Sequence, residues 1–210
     1  MKGKWAQGIT PRNFVWVLKD RLAVCERPGG YGANHRRVRR QEEIIWIREQ
    51  GFTHVISLIA AAHNLHNYDE LGVAWLHRPQ GPNDDPTAFQ RNFYRELRHL
   101  LASGEKLLVH QEEVGDRICG LVAGYLLWAG LVPYGPQAIS ITERLTGRQL
   151  GPLGRGLVAS ADELRDEAET AERTGPTGAA DATASAGDAA DTGGGPGTAG
   201  GAGAAGEAGE

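Results

Sequence analysis

Cysteine is scarce in this chain. Cys25 and Cys119 are the only two in 210 residues, and they lie far apart. Two isolated thiols exclude a disulfide framework, and no set of thiol and imidazole ligands at the usual spacing makes a zinc site. Long hydrophobic runs are missing too. The longest, Leu121 to Val132, is too short to span a bilayer and fits a buried helix. Met1 to Gly8 is polar with no apolar core, so a secretory signal is not expected and the expectation is a soluble cytoplasmic protein. From Gly175 to Glu210 only Gly, Ala, Thr, Asp, Ser, Pro and Glu occur. Such a segment has nothing to bury against a core and is expected to stay disordered.

What is present divides sharply. After Ser160, eleven carboxylates stand against Arg165 and Arg173, which leaves −9 there; the whole chain carries −4, so residues 1–160 carry +5. The expected organisation is one domain over residues 1–160 and an acidic, Gly/Ala-rich tail over 161–210. Within the tail, residues 161–173 (ADELRDEAETAER) are expected to form a short solvated helix. A solvated low-complexity tail is preferred to an acidic arm competing for the basic body. The basic body suits an anionic ligand.

The body alternates strand and helix signals. Phe14–Leu18 and Arg21–Val24 flank Lys19-Asp20 as a hairpin. Arg39 to Gln50 places Ile44, Ile45 and Ile47 on one face and stops at Gly51, as a helix does. Phe52–Ile59 and Val73–His77 are apolar or β-branched strands. Pro86 opens a helix that Phe89, Phe93, Leu97, Leu100 and Leu101 continue to Gly104. Lys106–Val109 is a buried strand, followed by a polar loop, His110 to Asp116, a helix from Arg117 to Trp128 and a last helix from Pro136 to Leu145. Strands joined by helical crossovers predict an α/β domain with a central, mostly parallel sheet flanked by helices.

The order KLLV, HQEEVGD, RICGLVAGYLLW puts a polar loop between a buried strand and a helix N-terminus, where unpaired N–H groups favour an anion. This segment resembles the His-Cys-x-x-Gly-x-x-Arg loop, followed by Ser or Thr, of protein tyrosine and dual-specificity phosphatases. NFVWVLKDRLAVCERPGG is similar to the entry hairpin of small atypical members, GFTHVISLI to their first core strand, and WLHRPQGPNDDP to the loop that supplies their general-acid aspartate. The similarity runs from Phe14 to Leu150 and implies their fold, with the phosphate loop between the last core strand and the next helix.

Carried over by position, His110 matches the motif histidine and Arg117 the arginine that clamps two phosphate oxygens. Gln111 stands where the nucleophilic cysteine belongs, and a carboxamide is neither acidic nor a nucleophile toward phosphorus. Val114 replaces the motif glycine, with Gly115 one residue on, and Ile118 replaces the hydroxyl residue after the arginine. The resemblance therefore implies a pseudophosphatase that binds a phosphorylated or otherwise anionic partner through the loop Glu112, Glu113, Val114, Gly115, Asp116 and Arg117. The alternative is an active phosphatase using a non-cysteine nucleophile such as Glu112 or Glu113. Cys119 lies inside the helix and fits a small core residue. Asp84 and Asp85 are either a vestigial general acid or an N-cap for the helix at Pro86. Arg117 either bridges to Glu112, Glu113 or Asp116, or holds phosphate.

Two clusters remain. His35, Arg36, Arg37, Arg39 and Arg40 form a basic helix start, and with few aromatics interleaved they fit a solvated surface better than a nucleic-acid contact. His63, His66 and His77 lack the carboxylate or cysteine partners of a metal site. No metal, cofactor or membrane contact is expected.

Overall fold

The computed structural model describes residues 7–30, 36–62, 64–81 and 83–174. The chain enters through an antiparallel hairpin of β1 (Val15–Leu18) and β2 (Leu22–Glu26). Asp20, in the turn, takes the left-handed φ of 58° that a short polar side chain tolerates. There follow α1 (Arg37–Glu49), β3 (His54–Ser57), α2 (His66–Glu70), β4 (Trp75–His77) and α3 (Pro86–Ala102), then β5 (Leu107–Gln111), α4 (Asp116–Trp128), α5 (Gly135–Thr146) and α6 (Pro152–Thr174). The sheet order is β1-β2-β5-β3-β4, and every pairing beyond the hairpin is parallel. This is the expected α/β sheet flanked by helices, with β5 at its centre. Among the described residues no helix is long and apolar enough to cross a membrane.

Alternation along the strands builds two cores. Leu107 and Val109 of β5 join a large cluster with α3, α4, α5 and α6, whereas Leu108 joins a smaller one with α1 and α2. On the larger side α4 and α6 cross at glycines. A Cβ on Gly120 would lie 2.4 Å from the Cα of Gly154, and one on Gly154 would lie 2.4 Å from Asp116 Oδ1. Only bare backbone fits that crossing.

Several boundaries differ from the sequence expectation. The strand expected to end at Val109 continues through His110 and Gln111, because these residues pair with Cys25 and Glu26 of β2. His110, Gln111 and, at the other end, Asp116 therefore leave the loop for regular elements. The short α2 was not expected. The helix expected at 161–173 begins nine residues earlier, at Pro152. The composition boundary after residue 160 falls inside it, and Ala161 and Leu164 beyond that point are buried, not solvated. The expected disordered segment, 175–210, lies outside the described residues. The basic helix start is not simply solvated either: Arg40 is buried and donates to Asn67 Oδ1 at 3.0 Å, and Arg39 pairs with the buried Glu43 at 2.7 Å. His35 lies outside the described residues.

Candidate functional site

In parallel sheets the carboxyl ends of the strands open toward ligands. Here that edge holds one row across four strands, Cys25, His110, Ser57 and His77, in register. His110 is buried and its Nε2 lies 3.1 Å from the Tyr68 hydroxyl. Burial, then the nearby Arg27 and His77, lower its pKa to about 3, so the imidazole is neutral. Its role is to anchor the strand end against α2.

Gln111 ends β5, and its carbonyl accepts the Arg27 N–H at 2.8 Å. The loop then turns with its side chains divided between core and solvent. Val114 is 1% exposed and Ile118 fully buried, both in the α4 core, so two of the motif positions are occupied by packing residues. Gly115 is the N-cap of α4 and provides no side-chain cap for the first turn's N–H groups. The backbone N–H groups of Glu112, Glu113 and Val114 make no hydrogen bond among the described residues.

The loop carboxylates are largely committed elsewhere. Glu112 pairs with Arg27 at 2.7 Å. Asp116 accepts from the N–H groups of Gly151 at 2.7 Å and Gly154 at 3.0 Å, so it caps α6 from outside that helix. Glu113 is exposed and folds over Gly115. Arg117, half-buried in the first turn of α4, has no hydrogen bond or ion pair among the described residues. The bridge from Arg117 to a neighbouring carboxylate is thus absent there, and its five guanidinium donors remain available.

The aspartates before Pro86 act locally. Asp85 caps α3 by accepting the Thr87 N–H at 2.9 Å, and Asp84 accepts the Gly81 N–H at 2.6 Å. The two cysteines are buried and form no disulfide. Burial, then Glu43 and Glu26, push the Cys25 thiol well up; burial also raises that of Cys119. Of the three histidines, His66 contacts Asn67, His77 contacts the Ile59 carbonyl at 2.6 Å, and His63 lies outside the described residues. No group of three metal-ligating side chains occurs among the described residues.

Sequence reasoning missed Arg27, Tyr68 and the Gly151–Gly154 turn as parts of this edge. Arg27 had a visible signal, since it directly follows the strand that pairs with β5. Tyr68 had none, because α2 was not anticipated.

No family model and no curated protein sequence matches the chain. Solved structures do. A kinase associated phosphatase with its catalytic site cysteine replaced by serine matches with a TM-score of 0.61 at 22% identity, over 75% of this chain and 96% of that one. Tk-PTP in its active form gives 0.58 at 15%, over 72% and 97%. The human tyrosine phosphatase-like serine/threonine/tyrosine-interacting protein gives 0.54 at 16%, over 75% and 97%. The chain has the fold of tyrosine and dual-specificity phosphatases.

Proposed function

We propose that this protein is a pseudophosphatase, a phosphatase-fold domain that binds a phosphorylated or similarly anionic partner and does not hydrolyse it by cysteine chemistry. The observation that carries the reading is the pair Gln111 and Arg117. At the strand end that corresponds to the nucleophile stands a carboxamide, while the Arg117 guanidinium, in the first turn of α4, has no hydrogen bond or ion pair among the described residues and the Gly115 N-cap supplies no side-chain cap. The kinase associated phosphatase, by contrast, has a cysteine in its catalytic site.

Neither cysteine can replace the missing nucleophile. Cys25 belongs to the core on the α1–α2 side of the sheet and Cys119 to the core under α4, each with a raised pKa that disfavours thiolate. Of the two carboxylates of the non-cysteine alternative, Glu112 is held by Arg27, whereas Glu113 is exposed beside Gly115 and is the one a hydrolysis assay has to test. One of the fold neighbours carries "interacting protein" in its name, which is compatible with a binding role on this fold.

The test is calorimetric titration of inorganic phosphate, and of a phosphopeptide, into wild type and Arg117→Ala. Binding to wild type, weakened about tenfold or more in the variant, is expected, as for a charged hydrogen-bond partner. Equal binding by both proteins contradicts the assignment of Arg117. No binding by wild type contradicts the whole reading.

A further inference from the structure

A loop that receives an anion gains nothing from carboxylates of its own, yet Glu112, Glu113 and Asp116 all stand between Gln111 and Arg117. The structure treats the three differently. We propose, resting on the phosphate site assigned to Arg117, that Glu113 selects the partner: a phosphopeptide with Lys or Arg immediately beside the phosphorylated residue.

Two of the carboxylates are matched inside the protein. Glu112 Oε1 accepts from Arg27 Nη1 at 2.7 Å, so a cation offsets its charge. Asp116 accepts the Gly151 N–H on Oδ1 at 2.7 Å and the Gly154 N–H on Oδ2 at 3.0 Å. That cradle is closely fitted. A Cβ on Gly151 would lie 2.8 Å from Asp116 Oδ2, and one on Gly154 would lie 2.4 Å from Oδ1, so both positions must stay bare for the carboxylate to enter. Glu113 has no such reception. It is exposed and lies against Gly115, the N-cap of α4, with Oε1 3.1 Å from where a Cβ would stand. Among the described residues it makes no hydrogen bond or ion pair.

Arg117, in the first turn of α4, is likewise without a partner among the described residues, so the loop presents a carboxylate and a guanidinium that do not pair with each other. The complement of such a surface is an anion with a cation beside it. With the phosphate on Arg117, the cation falls to the neighbouring residue of the peptide. An extended peptide advances about 3.3–3.6 Å per residue, and the long stems of Lys and Arg carry their charge along a surface to a rim carboxylate. The net +5 of residues 1–160 favours an acidic flank instead. That field is a sum over charges spread across the body, and salt screens it beyond about 8 Å at physiological ionic strength. Glu113 stands on the loop itself, so at the residue next to the phosphate the local carboxylate wins.

The experiment is calorimetric titration of the full chain with two phosphotyrosine peptides that differ only at the residues flanking the phosphotyrosine. Both flanks are Lys in one peptide and Glu in the other; a matching phosphoserine pair is titrated alongside. In whichever pair binds, the Lys-flanked peptide is expected to bind about fivefold more tightly, the scale of an exposed charge contact. Glu113→Gln is expected to bring the two affinities together, Glu113→Asp to keep the preference, and high salt to shrink it. Equal affinities in wild type, a preference for the Glu-flanked peptide, or a Lys preference undiminished in Glu113→Gln each overturn the proposal and leave the phosphate site standing. Binding of no peptide overturns the phosphate site, and this inference with it.

Discussion

The two faces of β5 solve different problems with adjacent residues. On the α4 side, Val109, Val114 and Ile118 enter an apolar core, and the α4–α6 crossing is closed by glycine backbone. On the α1–α2 side, His110 meets Tyr68, Arg27 and Arg40 in a buried polar layer. The apolar face fixes the path of the loop by shape, and the polar face fixes the strand end by hydrogen bonds and charge. Neither depends on a reactive side chain at position 111, so the frame places no demand on the chemistry of that residue.

If this division is right, the polar face should be the one that fails in acid. His110 is neutral when folded and takes up a proton only near pH 3, whereas the unfolded chain takes it up near 6.5. The unfolded state thus binds more protons between these values, and stability falls as pH drops through the window, by about 1.4 kcal/mol per pH unit. Denaturant melts between pH 6.5 and 5 should steepen toward that slope as the unfolded histidine becomes fully protonated, and His110→Gln should flatten it. An unchanged slope in the variant would remove His110 from the account.

The apolar face should fail by overpacking. Gly120→Ala is expected to cost at least the upper part of about 1–3 kcal/mol, because the new methyl meets Gly154 backbone. Gly156 lies in the same α6 with nothing within 4 Å, so Gly156→Ala should stabilise by about 0.5–1 kcal/mol. The same substitution thus changes sign with position; equal signs in urea unfolding would break the argument for a bare crossing. The caps contribute on a similar scale. Asp116→Ala and Asp85→Ala should each cost about 1 kcal/mol, with the larger loss for Asp116, which serves two N–H groups.

Much of this was legible in the residues. Periodicity marked the hairpin, the helices from Arg39, Pro86 and Arg117, and the buried strand before the loop, because each buries one face at a regular spacing. Asp85 was recognisable as a cap from the proline that follows it. Other features were hidden because they depend on contacts distant in sequence. That Asp116 caps α6 requires Gly151 and Gly154 to return to the loop, and no local pattern announces it. Arg40 was misread as solvated because a basic cluster looks like surface until α2 closes over it. Val114 and Ile118 were visible as departures from the motif; that they fill the α4 core emerged only from the packing.

Arg117 belongs to neither face, which is why it should matter least to stability. Arg117→Ala is expected to change the unfolding free energy by no more than about 0.5 kcal/mol, as for a half-buried position with no hydrogen bond or ion pair among the described residues. A larger loss would mean that Arg117 holds the loop together and is not kept for a ligand.

The central claim, a phosphatase frame without cysteine catalysis, is tested most directly by the initial rate of aryl phosphate hydrolysis by the full wild-type chain at high substrate concentration. The account predicts no phosphate release above the buffer blank. A saturable rate that disappears in Glu112→Gln, Glu113→Gln or Cys119→Ser would contradict it and identify the nucleophile that replaces the missing thiolate.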